Sequence, residues 1–143
     1  MNSRAAPAIN GVLETALYVD DLLPATKFYC DIMGFRRMKG DETRFEALDD
    51  GAGRVLLLFK RGGTLLPTPA PGLVIPPHDG SGPQHIGFAI GADAYGPWKA
   101  RLEAFGIAIE SEGEWPRGGK SLYFRDPDGH LLELITPGIW DVY

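Results

Sequence analysis

The chain has 143 residues, 44% of them hydrophobic and 23% charged, proportions that suit one ordinary globular domain and exclude intrinsic disorder. Its formal net charge is −5 and its basic residues are scattered, which excludes nucleic acid as an expected partner, because phosphate binding needs a clustered positive surface. No apolar run reaches the roughly 20 residues of a spanning helix, the opening MNSRAAPAIN has no signal-peptide core, and the lone Cys30 can form no internal disulfide, so the expected setting is cytoplasmic and free of membrane.

In chain order, the first predicted element is an apolar strand over 11–19. Asp20 and Asp21 supply an N-cap, and Pro24 sits early in the helix that follows, where its missing N–H costs nothing. Ala25, Phe28, Tyr29 and Ile32 recur at helical spacing, Cys30 packs among them, and Gly34 stands where a C′ glycine ends a helix. Short strands are predicted at 35–38 and 43–48, then a turn at Asp49-Asp50-Gly51 and a strand over 54–60. The stretch over about 63–83, with prolines at 67, 69, 71, 76 and 77, predicts a stiff, extended connector.

Beyond the connector the same order returns. A strand over 84–90 leads to a helix over 94–105, with Tyr95, Trp98, Leu102 and Phe105 on one side and Gly106 as its stop. A strand resumes at Ile107, another covers 120–125, and Asp126-Pro127-Asp128-Gly129 turns the chain into a last strand over 130–136. The run Arg54-Val-Leu-Leu-Leu-Phe59 aligns with His130-Leu-Leu-Glu-Leu-Ile135, each just after an Asp-Gly turn. The expectation is one α+β domain over 1–143 built from paired βαβββ modules, the first over about 9–62 and the second over about 84–137.

Strand alternation then says which side chains share a face. Leu13, Thr15, Leu17 and Val19 lie together, so Glu14 falls opposite with Val12, Ala16 and Tyr18. Ile86, Phe88 and Ile90 form a helix-packing face, which puts His85 opposite with the small Gly87 and Ala89. Leu132 and Leu134 face the helices and Glu133 lies opposite with Leu131 and Ile135. A carboxylate inside so apolar a run is costly to bury unless it is compensated, by an arginine, by water or by a metal. His130, at the end of the second turn, is expected to face solvent.

The most specific stretches are Tyr18-Val-Asp-Asp-Leu22 leading to Phe28-Tyr29 and Gly34-Phe35, and Ser121-Leu-Tyr-Phe-Arg-Asp-Pro-Asp-Gly-His-Leu-Leu-Glu133. On these the chain resembles the vicinal oxygen chelate superfamily of glyoxalases, extradiol dioxygenases, fosfomycin-resistance proteins and bleomycin-resistance proteins, over about residues 11–137. The resemblance implies a glyoxalase-like fold in which the modules form a cupped eight-stranded mixed sheet with helices outside. It implies a metal on the concave face held by Glu14, His85 and Glu133, leaving positions open for a substrate's paired oxygens. One histidine and two carboxylates form a hard, oxygen-rich site that suits Mn²⁺, Fe²⁺, Zn²⁺, Mg²⁺ or Ni²⁺ without choosing among them. Leu57 stands where a fourth ligand would repeat Glu133, so the four-ligand pattern of glyoxalase I is incomplete, and the missing second histidine disfavours ring-cleaving redox chemistry.

Around that metal the resemblance and the alternation suggest further roles. Glu133, Tyr123 and His78 are the candidate catalytic groups, with His78 equally readable as an exposed loop histidine. Ser121, Tyr123 and Arg125 share the face expected to wall the substrate. Trp115, Arg117 and Lys120 lie on the hairpin that borders the substrate in this superfamily, where the cations would attract an anion, or they are ordinary hairpin decoration. The implied activity is a metal-dependent lyase, isomerase, transferase or dioxygenase type of enzyme acting on a small oxygen-bearing molecule by bidentate chelation. The rival is a metal-free, bleomycin-resistance-like protein that sequesters a small molecule, and a degenerate scaffold is disfavoured by Ala16, Gly87 and Ala89. Homodimers that exchange modules are usual in this superfamily, which would set Glu14 of one chain beside His85 and Glu133 of the other.

Overall fold

The computed structural model describes residues 5–143. Strand β1, Glu14–Val19, opens the first half, and Asp21 caps the next helix by accepting the Leu23 N–H at 3.1 Å. Helix α1, Leu22–Lys27, runs on as a π-helical stretch over Phe28–Ile32, which buries Phe28 and Tyr29. Gly34 then turns the chain with φ +78°, and the Phe35 N–H closes back on the Tyr29 carbonyl at 2.9 Å. Strands β2 (Arg36–Gly40), β3 (Phe45–Asp49) and β4 (Val55–Lys60) complete the unit. In the second half β7 (His85–Ala89), α2 (Tyr95–Ala104), β8 (Ser111–Glu114), β9 (Lys120–Arg125) and β10 (Leu131–Ile135) follow the same plan.

The eight principal strands stand as two four-stranded sheets within the chain, ordered β1-β4-β3-β2 and β7-β10-β9-β8. Each is mixed, because its first strand lies parallel to its last and the rest are antiparallel. The registers of β1-β4-β3 and β7-β10-β9 agree residue for residue. Ala16 and Ala47 flank Leu57 in the first sheet as Gly87 and Tyr123 flank Glu133 in the second. The turns agree at atomic detail too. Asp50 Oδ1 accepts the N–H groups of Ala52 and Arg54, and Asp126 Oδ1 accepts those of Asp128 and His130.

Two predicted elements differ. The connector is not extended throughout, because β5 (Thr68–Ala70) and β6 (Leu73–Ile75) pair as a small hairpin around Pro71-Gly72, with Gly72 at φ +83° as such a turn demands. The strand expected from Ile107 begins at Ser111, since Ile107 and Ile109 pack against the core and the backbone of this stretch meets β9 through the Glu110 N–H, which donates to the Tyr123 carbonyl.

The helix-facing sides of both sheets share one apolar core, in which Leu17, Val19, Leu48 and Leu58 join Leu102, Leu122, Phe124 and Leu134. Polar joints lock the halves together. The Tyr29 hydroxyl donates to Asp126 Oδ2 at 2.7 Å, and the Arg101 guanidinium donates to the Asp31 and Ile32 carbonyls at the end of the π-helical stretch. His130, expected in solvent, is fully buried instead. Its Nδ1 accepts the Gln84 N–H at 2.9 Å and its Nε2 donates to the Tyr18 carbonyl at 2.7 Å, so the ring satisfies two backbone groups that lie far apart in sequence. No helix among the described residues is long and apolar enough to cross a membrane.

Candidate metal and substrate site

The site starts from the centre of the second sheet. β10 carries Glu133 between Gly87 of β7 and Tyr123 of β9, and the side chain is buried. The bareness of Gly87 leaves the room: a Cβ there would stand 2.6 Å from Ile135 Cδ1 and 3.8 Å from Glu133 Oε1. His85, one alternation further along the face, brings Nε2 to 3.3 Å from Glu133 Oε1. Its Nδ1 lies 2.9 Å from the Leu131 carbonyl. That oxygen can only accept, so Nδ1 carries a proton and Nε2 is the ring atom turned toward the carboxylate.

An imidazole nitrogen and a carboxylate oxygen that close call for a proton or a cation between them. Donors about 2.1 Å from one divalent ion stand about 3 Å from each other, so this pair has the spacing of neighbouring ligands. The backbone carbonyl behind the histidine also fixes the tautomer, as outer groups at metal sites do. By the chemistry of its donors, the pair fits a divalent metal.

The other oxygen of Glu133 is held by the protein. Ser121 Oγ donates to Oε2 at 2.5 Å, and Trp115 Nε1 donates to Ser121 Oγ at 2.8 Å. Trp115 and Ser121, expected to touch substrate, thus have their polar atoms committed to orienting the carboxylate. Tyr123 stacks beside His85 with ring centroids 6.3 Å apart, and burial, followed by the neighbouring Glu133 carboxylate, raises its phenol above the ordinary range.

The expected cations are placed differently. Lys120 points to the opposite face, its Nζ 5.4 Å from the centre of the Tyr95 ring, because it alternates with Ser121 along β9. Arg117 is engaged by Asp141 at 2.6 Å and by the Ile139 carbonyl. Arg125 grips Glu110 through Nε and Nη2 and reaches the Gly129 carbonyl with Nη1.

Glu14 lies on the first sheet, exposed, in a separate concavity of about 480 Å³ that it lines with Ala16, Arg44, Phe45, Phe59 and His78. Among the described residues of one chain, no three His, Cys, Asp or Glu side chains come together as a metal cluster. The chain therefore unites His85 with Glu133 and keeps Glu14 apart from them. His78 is half-buried rather than free in solvent: Tyr18 Oη lies 2.7 Å from its Nδ1 and Phe59 meets its ring edge-on at 4.5 Å. Arg44 is not among the sequence candidates; it stands 76 residues before Lys120, as Asp50 does before Asp126, yet unlike Lys120 it lines the concavity.

Comparison with known proteins bears on this arrangement. Residues 11–134 match the family model of the Glyoxalase/Bleomycin resistance protein/Dioxygenase superfamily, and the chain belongs to that superfamily. A lactoylglutathione lyase structure from Agrobacterium tumefaciens is similar at 31% identity and a TM-score of 0.85, covering 94% of this chain and 99% of that one. Glutathione transferase FosA of Serratia marcescens is 38% identical over 60 residues, 42% of this chain and 40% of that protein. Metallothiol transferase FosB of Bacillus licheniformis is 34% identical over 58 residues, 40% of this chain and 38% of that protein. The matching segments span about two fifths of the length of those curated relatives.

Proposed function

We propose that the protein is a metal-dependent vicinal oxygen chelate enzyme, acting on a small substrate that offers two neighbouring oxygens. The observation that carries this reading is the His85 and Glu133 pair, 3.3 Å apart and each anchored from behind. Relatives named as a lyase and as transferases support enzyme chemistry of that broad kind. Glu14 of a second chain would complete the ligand set in a homodimer that exchanges modules.

When bound there, a divalent ion supplies Lewis-acid stabilisation of negative charge developing on the substrate oxygens. The chain's own groups do the rest. Ser121 and Trp115 keep Glu133 from rotating, the Leu131 carbonyl keeps His85 in one tautomer, and the Tyr123 phenol, protonated at neutral pH, offers a hydrogen bond at the cup wall. His78, anchored by Tyr18 in the Glu14 concavity, is the acid–base candidate on the opposite wall.

A metal-free sequestering protein would instead hold a proton between His85 and Glu133. Elemental analysis of protein purified without added metal separates the two. The enzyme reading expects close to one divalent ion per chain, and expects Glu133→Gln to lose it while the circular dichroism spectrum keeps its folded shape and the melting temperature falls toward that of metal-stripped wild type. Equal metal content in wild type and variant would reject the assignment.

A further inference from the structure

We propose that Arg44 selects the substrate, and that the Glu14 concavity takes a small organic carboxylate with an apolar body. This rests on reading the cup as a substrate site. The candidate cations of the second module are already engaged, because Arg117 and Arg125 pair with Asp141 and Glu110 at 2.6 and 2.7 Å and Lys120 lies over Tyr95 on the far face. Arg44 lines the concavity and is less fully committed. Its nearest carboxylate, Asp41, stays 3.9 Å from Nε, and Asp41 Oδ1 is occupied by the N–H groups of Thr43, Arg44 and Phe45.

Among the described residues the Arg44 side chain makes one hydrogen bond, from Nη1 to Thr68 Oγ1 at 3.1 Å, and its buried Nε has no partner. Protein covers Nε, which leaves Nη2 as the unpaired guanidinium donor open to the concavity, and a charge-assisted bond from it suits a carboxylate oxygen. The walls beside it are apolar: Phe45 and Phe59 with ring centroids 6.2 Å apart, Leu57 and Ile75. Such walls suit an aromatic or aliphatic body lying between the guanidinium and Glu14.

Calorimetric titration of the full chain as purified with phenylacetate and with its neutral analogue phenylacetamide tests this. Phenylacetate should bind about tenfold more tightly. Arg44→Met should erase that preference, Arg44→Lys should keep part of it, and the Arg44 Nε–H resonance of the wild type should shift on addition of phenylacetate. Equal affinities, no measurable phenylacetate binding, or a preference that survives in Arg44→Met would each overturn the proposal. Should Arg44→Met fail to fold, the wild-type Nε–H resonance decides alone, and its failure to move overturns the proposal. The metal reading is scored separately: Arg44→Met should keep its metal, and Glu133→Gln should keep the preference for the anion.

Discussion

Glu133 is held by two neighbours whose own polar atoms are used up in holding it. Removing Ser121 Oγ frees Oε2 and leaves Trp115 Nε1 without its acceptor, so the carboxylate gains a rotational freedom that its proposed ligand role opposes. Ser121→Ala and Trp115→Phe should each weaken metal affinity by about 10- to 100-fold, the usual size for outer-sphere partners. Competition against a chelating dye measures this, and unchanged affinity in both variants would show that the relay does not position the ligand. At this scale the pattern of alternation carried far. It put His85 and Glu133 on one face, where they meet. The same rule, applied to β9, sets Lys120 against Ser121, whereas its charge and its place beside the hairpin point to the substrate side. Partners such as Asp141 and Glu110 were invisible because nothing local in sequence links them to Arg117 and Arg125.

Between elements, α2 is fastened to β8 through polar side chains. Tyr95 donates its hydroxyl to Glu112 Oε2 at 2.7 Å, and Lys99 reaches Oε1 at 2.6 Å. Burial, and then the bond to Glu112, raise the Tyr95 phenol to about 12. A folded-state value above the unfolded one, about 10, means that the protonated phenol favours the fold. The contribution is therefore complete below about pH 10 and disappears as pH rises from there through about 12. Phenolate absorbance should show a tyrosine that titrates late, and Tyr95→Phe should remove that late step; a titration curve unchanged by the substitution would contradict it. The elements themselves were readable from caps, stops and turns. The π-helical stretch and the β5–β6 hairpin were not, since the first is selected by packing of Phe28 and Tyr29 and the second hid among prolines.

For the whole molecule, the repeat is the organising fact. Two sheets with one register differ in what they carry, Glu133 with Tyr123 in one and Leu57 with Ala47 in the other. Their shared core is pinned by the buried Tyr29–Asp126 bond, whose acceptor also serves the turn before β10. Tyr29→Phe leaves that carboxylate one donor short in a buried place and should cost about 1–3 kcal/mol in chemical denaturation; a cost near zero would place the joint's strength elsewhere. The sequence told both modules apart but not how they pair, because Glu14 can meet His85 and Glu133 only through an arrangement of chains that no residue pattern specifies.

That arrangement is the central claim, and mixing two defective chains tests it most directly. Glu14→Gln and Glu133→Gln, each unable to hold metal alone, are unfolded together in equal amounts, refolded and analysed for bound metal. If each site draws Glu14 from one chain and His85 with Glu133 from the other, half of the dimers are mixed and carry one intact site of two, restoring about a quarter of the wild-type metal. A mixture that binds no more metal than either variant by itself would contradict a site shared between chains.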